Sequence, residues 1–235
     1  MDPITYSLDD NIARITLDDG KANTMYLPWF GALNRALDQA EKDKPGAVVI
    51  GGRAGMFSAG LNLKVLPTLA ADDLRTTLTA FGHTMLRVFT FPIPTVAALT
   101  GHAVAGGAML AFACDQRYFA DGPFRLHLNE TAIGLVLPTW AITIAQASVP
   151  QRWHNEAILH ARAYTPAEAL EKGLIDGVSR PAERVIDDAR AAAAALGALD
   201  QNAYGQSKAR MRASVVQWAI DVLETETLGR SPGST

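Results

Sequence analysis

The sequence has few of the features that mark several classes of protein. It contains one cysteine in 235 residues, so no disulfide can form within the chain. The net charge is -3 and no block of lysine or arginine occurs, which argues against a nucleic-acid-binding protein. No apolar run reaches the ~18 residues of a membrane span, and the start has no signal-peptide pattern. We therefore expect a cytoplasmic protein with no nucleic-acid or membrane partner.

The spacing of metal ligands is missing as well, because the five histidines are scattered along the chain. The single cysteine, Cys114, lies in the apolar stretch "AFACD", which predicts a buried small side chain rather than a nucleophile. Apolar residues, in contrast, make up 49% of the chain, which is enough for one large core. The composition predicts a globular protein without a metal site.

Hydrophobic periodicity predicts one α/β domain with a helical C-terminal part. The segments "ITYSL" and "IARITL" alternate apolar and polar residues around a turn, which indicates an antiparallel hairpin. A helix is predicted from Leu27, and "AVVIGG" after it is typical of a buried strand. A second helix and the strand "PIPTVAAL" follow. The apolar stripe of that helix consists of Leu74, Leu78, Phe81, Met85 and Val88.

The second half of the chain changes from strands to helices. "HAVAGGAMLAFACD" predicts a glycine turn and a helix that is apolar on every face and therefore interior, and two short strands follow it, "QRYFA" and "FRLHL". Thr165 and Glu168 frame a capping box that starts a later helix. The last helical pattern covers residues 207–223, and "GRSPGST" is predicted to be a frayed tail. We place an α/β core at residues 1–197 and a C-terminal helical segment with its tail at 198–235.

Two glycine-containing turns, at residues 51–64 and 100–110, each follow a predicted buried strand. Neither fits a nucleotide-binding fingerprint. Glycine lets backbone N–H groups approach a ligand oxygen, and a helix N-terminus behind them adds positive potential. If the turns converge, Gly106-Gly107 would supply one donor and Gly60-Leu61 the other, and the pair would form an oxyanion hole. Alternatively, both segments serve only as turns.

Four motifs in order carry a family resemblance: "MFSAGLNLK", "TGHAVAGGAMLAFACD", "LNETAIGLVLPTW" and "TPAEALEKGLIDGV". Together, over residues 4–212, they resemble the crotonase, or enoyl-CoA hydratase/isomerase, superfamily. The "LNET" box followed by "PTW" is most similar to the Δ3,Δ2-enoyl-CoA isomerase branch. The resemblance implies a crotonase-like spiral of β-β-α units and an acyl-CoA thioester substrate of fatty-acid metabolism. It also implies no cofactor beyond the coenzyme A of the substrate, and a homotrimer or a dimer of trimers.

The resemblance also implies roles for particular residues. The backbone N–H groups of Leu61 and Gly106 would hold the thioester oxygen, and Glu130 would be the catalytic acid and base. The loop 59–62 would curl around the adenine end of coenzyme A. The residues expected to bind substrate are Ala59, Gly60, Asn62, Lys64, Gly107, Met109, Leu135, Leu137 and Trp140.

Departures from the family pattern refine the expected reaction. Hydratases of the family carry a second glutamate where this chain has Met109, so water activation by paired carboxylates is not expected. One carboxyl group is what an allylic isomerisation requires, and an apolar surround would raise its pKa. The family's usual Asp stands as Asn62 here, a position that we interpret as supporting its loop. The chain also ends sooner than many relatives do, which puts the C-terminal helices that form the usual trimer in question.

Plainer interpretations remain for the same residues. Glu130 would then cap a turn or face solvent, His127 would be structural rather than in the site, and Lys64 would be solvated. The apolar candidates would be ordinary core. Two other functions also stay open: a different acyl-CoA enolate reaction, such as hydration or decarboxylation, and a non-catalytic acyl-CoA-binding protein.

Overall fold

The computed structural model describes residues 2–227, so the predicted tail "GRSPGST" lies outside the described residues. The strands are β1 (Ile4–Asp9), β2 (Ile12–Leu17), β3 (Thr24–Met25), β4 (Ala47–Gly51), β5 (Gly55–Ser58), β6 (Gly60–Leu61), β7 (Thr95–Leu99), β8 (Gly101–Val104), β9 (Gln116–Ala120), β10 (Leu126–His127) and β11 (Gly177–Ser179). The helices are α1 (Leu27–Asp43), α2 (Ala71–Thr90), α3 (Gly106–Ala113), α4 (Thr139–Ser148), α5 (Pro166–Glu171), α6 (Val185–Gly197) and α7 (Gln201–Thr227).

A six-stranded sheet in the order β1-β2-β4-β7-β9-β11 forms the main layer. The predicted hairpin is its edge: β1 and β2 pair antiparallel through a turn in which Asp10 and Asn11 both have positive φ. Such a turn matches the twist of the two strands it joins. The other neighbours pair in parallel, and β4 is buried along its whole length, as its continuous apolar sequence predicts.

The chain winds as a spiral because successive strands alternate between two sheets. After each of β4, β7 and β9 in the main sheet, the next strand (β5, β8 and β10) enters a separate parallel sheet of order β10-β8-β5. Helices α2, α3 and α4 then lead away from these pairs. The predicted spiral of β-β-α units is therefore the observed architecture, and it brings the ends of β5 and β8 side by side.

The two faces of the main sheet pack against different clusters. Along β4, Val48 and Ile50 face the larger cluster, while Ala47 and Val49 face a smaller one covered by α6. Every residue of α3 is buried, so this short helix lies inside the larger cluster as its sequence predicts. The predicted capping box is also present at the start of α5, where Thr165 and Glu168 exchange hydrogen bonds.

Helix α7 returns across the molecule and packs on α2 and α4. Its anchor is a buried charge cluster: Asp115 accepts from Lys208 Nζ at 2.7 Å and from Arg212 at 3.0 Å. Lys208 is only 4% exposed, so breaking this pair would leave an uncompensated buried charge. Further along the helix, Ala219 and Leu223 are fully buried. The far end of α7 is thereby fixed against the core.

Two local expectations differ from the structure. "FRLHL" forms only the two-residue strand β10, because Phe124 and Arg125 before it and Leu128 after it take no regular structure. The region after Pro138 is mostly helical, as expected, but it also contributes β11, which extends the main sheet beside β9. A three-residue strand is too short for periodicity to reveal it.

Candidate active site

Two glycine turns meet at the centre of the molecule. Gly60 has φ 79°, a conformation that favours glycine. A Cβ added to Gly60 would lie 2.7 Å from the backbone N of Gly106, so only glycine allows this approach. The turn that ends β5 and the turn that opens α3 are therefore in direct contact, as the converging-turn interpretation requires.

The two residues proposed to supply backbone N–H donors, Leu61 and Gly106, both line one cavity. Leu61 lies opposite Met25 in the parallel pair β3–β6. The backbone of Met25 bonds to the neighbours of Leu61 rather than to Leu61 itself, and Asn62 N donates to Met25 O at 2.9 Å. The N–H of Leu61 thus points away from that strand. Gly106 is the first residue of α3, where backbone N–H groups have no intrahelical acceptor. An oxygen between them would meet two donors.

Ala105, the residue just before α3, has a strained backbone conformation. It has φ 51° and ψ -122°, which an alanine rarely adopts. The N–H of Ala105 donates to the carbonyl of His127 at 2.9 Å, and its own carbonyl accepts from Met109 N at 3.0 Å. Both ends of the strained residue are therefore held by hydrogen bonds, and strain of this kind concentrates at functional sites.

Glu130 lies on the same cavity and is buried, with 7% of its surface exposed. Burial raises the pKa of its carboxyl group above the ordinary value, against smaller opposing contributions from the N–H groups of residues 129 and 130. Its Oε2 atom and the Oδ1 atom of Asn129 are buried and accept no hydrogen bond from the described part of the chain. Unpaired buried acceptors are uncommon, so this pair points to a ligand or to water.

The cavity has a volume of about 530 Å³ and is mostly apolar. Seven of the residues predicted for the site line it: Ala59, Leu61, Gly106, Met109, Glu130, Leu135 and Trp140. Met109 is 2% exposed and stands on α3 at the wall, where a carboxylate would be buried. The structure therefore brings the two turns, Glu130 and an apolar pocket together.

Five predicted substrate-binding residues lie elsewhere than on the cavity wall. Gly107 packs against the backbone of β5, because a Cβ there would lie 2.1 Å from the carbonyl oxygen of Ser58. Leu137 is buried in the main core. Gly60 forms the contact between the turns, and Asn62 braces its loop by accepting from the N–H of Lys64 at 3.1 Å. Lys64 itself is exposed.

Two side chains of reactive types, those of Cys114 and His127, lie near the site. Cys114 is buried at the end of α3, and burial raises the pKa of its thiol to about 12. His127 is half-buried, and burial lowers the pKa of its imidazole. His127 is not on the cavity wall, and its contribution is the carbonyl that holds Ala105. Neither residue lines the cavity.

Sequence reasoning missed several parts of the wall, and three of them matter for the site. Leu74, Leu78 and Phe81 were visible as an apolar helical stripe, but the stripe alone did not distinguish cavity wall from core. Asn129 also lines the cavity, but no role was assigned from the sequence to this residue of the "LNET" motif. The third part comes from α7, which contributes Leu223 and Glu226 to the same cavity.

Glu226 changes the expectation that Glu130 is the one carboxylate of the pocket. Its Oε2 accepts from the backbone N–H of Thr139 at 2.9 Å, and its Oε1 accepts from the Thr139 hydroxyl. Thr139 opens α4, so the carboxylate lies at a helix N-terminus, where negative charge is favoured. The signal that could have revealed it was weak, because 87 residues separate the two partners.

Within residues 2–227, no group of three or more His, Cys, Asp or Glu side chains is arranged to hold a metal ion. None of the described helices is both long and apolar enough to cross a membrane.

The fold and the comparisons with known proteins agree. The strand-strand-helix spiral with two glycine turns is the crotonase fold. The model of the enoyl-CoA hydratase/isomerase family matches residues 7–228, and the chain belongs to that family.

Individual relatives carry both reaction names. The chain is 30% identical over 204 residues to human mitochondrial enoyl-CoA delta isomerase 1, covering 86% of this chain and 67% of that one. The crystal structure of human mitochondrial delta3-delta2-enoyl-CoA isomerase superposes with a TM-score of 0.92 at 27% identity, covering 97% and 90% of the two chains. An enoyl-CoA hydratase of Mycobacterium marinum superposes at 0.88 with 36% identity, covering 96% and 99%. Names of relatives therefore leave isomerase and hydratase both open.

Proposed function

We propose that the protein is an enoyl-CoA isomerase that shifts the double bond of a 3-enoyl-CoA to give the trans-2-enoyl-CoA. The observation that carries the proposal is Glu130, a buried carboxyl group with an unpaired oxygen on the cavity that the two N–H donors also line. An apolar setting raises the pKa of a carboxyl group toward the working pH without a charged partner, which suits a base that exchanges protons with carbon.

The reaction would use the residues as follows. Glu130 takes a proton from C2, and the electron pair of that C–H bond forms the C1–C2 double bond of a dienolate, while the π pair of the thioester carbonyl moves onto its oxygen. Negative charge develops on the thioester oxygen, which the N–H groups of Leu61 and Gly106 stabilise. The protonated Glu130 then gives its proton to C4, where the C3–C4 π pair forms the new C–H bond. The C1–C2 pair becomes the C2–C3 double bond, and the thioester carbonyl re-forms. No cofactor is needed beyond the coenzyme A that the substrate carries.

Hydration of a 2-enoyl-CoA is the second candidate, and Glu226 is the observation that favours it. A hydratase of this family would need a second carboxylate to position water, and Glu226 is a second carboxylate on the cavity. Both of its oxygens, however, accept hydrogen bonds from Thr139, so the group is held as an acceptor rather than poised to give a proton. Met109 supplies no acid or base on α3. These contacts favour isomerisation.

One experiment separates the two reactions. The purified protein is mixed with a 3-enoyl-CoA and, separately, with a 2-enoyl-CoA, and the products are resolved by chromatography. Conjugation of the first without hydration of the second supports the isomerase. Efficient conversion of the second to the 3-hydroxy product would instead establish a hydratase, and release of carbon dioxide from a malonyl-type thioester would indicate a decarboxylase. Binding without any turnover would indicate a non-catalytic acyl-CoA-binding protein.

We also propose that the protein works as a homotrimer or a dimer of trimers. Met211, Val215 and Trp218 give α7 an exposed apolar stripe, and Trp218 alone is 56% exposed. Exposed apolar patches commonly mark protein–protein contacts. Mass measurement by light scattering tests this proposal directly.

A further inference from the structure

Glu226 occupies an unusual place for a charged group, because its surroundings on the cavity wall are apolar. The described side chains that line the cavity are aliphatic or aromatic except for Asn129, Glu130 and Glu226. Asn129 and Glu130 adjoin each other in the chain, whereas Glu226 arrives from α7. Glu226 is therefore a polar group from a distant part of the chain whose position the proposed chemistry does not require.

A chain of contacts places Glu226 away from the glycine turns. A Cβ on Gly106 would lie 2.9 Å from Phe81, so Phe81 forms the wall next to the first turn of α3. Phe81 packs edge-on against Trp140, with ring centroids 4.7 Å apart. Trp140 follows Thr139, which holds Glu226. Through these rings Glu226 is connected to the wall beside the oxyanion donors, and it lies where α4 and α7 line the cavity. An acyl chain that has its thioester at the donors and runs along the two rings would reach it.

Leu223 extends the same wall. A Cβ on Gly82 would lie 2.5 Å from Leu223 Cδ1 and 3.0 Å from Trp140 Nε1, so α2, α4 and α7 are in close contact here. Leu223 lies one helical turn before Glu226, on the same face of α7. The end of α7 therefore presents first an apolar and then an anionic side chain to the cavity.

The hydrogen bonds of Glu226 fix its carboxylate but do not exhaust it. Two donors from Thr139 approach its two oxygens, and an ionised carboxylate offers about four lone-pair sites. A hydrocarbon chain packed against it would strip water from the remaining sites without replacing the lost hydrogen bonds, which is unfavourable. A hydroxyl group at that point would donate to it instead.

We propose that Glu226 is a specificity-determining residue of the acyl pocket. It disfavours plain hydrocarbon chains long enough to reach it, and it favours acyl chains that carry a hydroxyl group at that depth. The inference rests on the proposed acyl-CoA function, but it concerns binding rather than the double-bond shift.

The test measures dissociation constants of saturated acyl-CoAs by calorimetry for the wild type and for Glu226→Leu. The probes are butanoyl-, octanoyl-, dodecanoyl- and hexadecanoyl-CoA, and dodecanoyl-CoA with a terminal hydroxyl group. Each added methylene that is buried should tighten binding about fourfold. In the wild type this gain should stop at the chain length that reaches Glu226, whereas in Glu226→Leu it should continue. We expect the affinity ratio of the longest to the shortest chain to rise at least about tenfold in the variant.

Hydroxylated and plain dodecanoyl-CoA give the second readout. The affinity for hydroxylated dodecanoyl-CoA divided by the affinity for plain dodecanoyl-CoA should be roughly tenfold higher in the wild type than in Glu226→Leu. This is the order expected for a lost hydrogen bond to a charged group. Asp221→Leu is the matched control, since Asp221 is an exposed carboxylate on the same helix. That variant should keep the wild-type ratios.

Thr139→Val separates specificity from a structural role. If Glu226 only caps α4, Glu226→Leu and Thr139→Val should both lower the melting temperature and weaken all probes equally, and unchanged ratios would overturn the proposal. Altered ratios in a protein that does not isomerise 3-enoyl-CoA would support the role of Glu226 while refuting the proposed reaction. Failure to bind any acyl-CoA would overturn both.

Discussion

Replacing Glu130 by glutamine removes one proton-accepting atom and little else. The amide keeps the shape of the carboxyl group, but it cannot accept a proton from carbon. General acid–base catalysis typically contributes roughly 10²–10⁴ in rate. Because each tenfold change corresponds to about 1.4 kcal/mol of barrier, the expected loss is about 3–5 kcal/mol. The unpaired Oε2 atom suggests no neighbour that would take over the proton.

The same substitution has a predictable effect on stability. Burial raises the pKa of Glu130 in the folded state, so the folded protein holds this proton to a higher pH than the unfolded chain does. The contribution of Glu130 to stability is therefore greatest below its unfolded pKa and is lost as the pH rises through the folded pKa. Because glutamine does not titrate, Glu130→Gln should gain stability relative to wild type as the pH rises through that window.

Three assays decide whether Glu130 is the acid and base: isomerisation of a 3-enoyl-CoA, exchange of the C2 proton in deuterated water, and acyl-CoA binding. The variant should bind acyl-CoA through the backbone donors while both rates fall. Glu171→Gln, at an exposed position on α5, is the control for the loss of a carboxylate. Urea unfolding at several pH values checks the stability effect. Wild-type isomerisation and exchange rates in a folded variant that still binds acyl-CoA would refute the mechanism.

Three further outcomes are expected. Gly106→Val should cost roughly 10²–10³ in turnover, as loss of an oxyanion donor does, and it also brings a Cβ 2.9 Å from Phe81, so circular dichroism must confirm folding. Wild-type turnover in folded Gly106→Val would remove this residue from the oxyanion hole. Met109→Glu should not create an efficient hydratase, because a new buried charge lacks partners; strong formation of the 3-hydroxy product would contradict this. Light scattering at micromolar concentration should give the mass of a trimer or hexamer, and a monomer would refute the oligomer.

The sequence was informative where a short segment determines its own environment. The glycine turns, the interior helix α3 and the capping box at Thr165 each follow from local residue choice, and the structure has all of them. Four ordered motifs also sufficed to predict the spiral fold. Glu130 could be singled out because a lone carboxylate in an apolar run must either turn outward or be used.

Long-range packing was beyond the reach of the sequence. Leu137 and Gly107 belong to the right motifs, yet one points into the core and the other fits the backbone of Ser58. Which side of an apolar helix faces a cavity depends on neighbours that come from distant segments. Glu226 is the clearest case, since nothing near it in the chain indicates that α7 returns to Thr139. The division of the chain near residue 198 stays a prediction.

The polarity of the cavity limits the kind of ligand that fits. An unpaired buried acceptor costs about 1–3 kcal/mol, and the wall carries two, on Asn129 and Glu130, against a typical total stability of about 5–15 kcal/mol. On the same cavity, Leu61 and Gly106 offer donors without an acceptor from their own strand or helix. A purely anionic ligand would satisfy these donors but would be repelled by Glu130. A neutral group that combines an acceptor oxygen with an acidic hydrogen on the next carbon offers its oxygen to the two donors and its hydrogen to Glu130, and an acyl thioester is such a group.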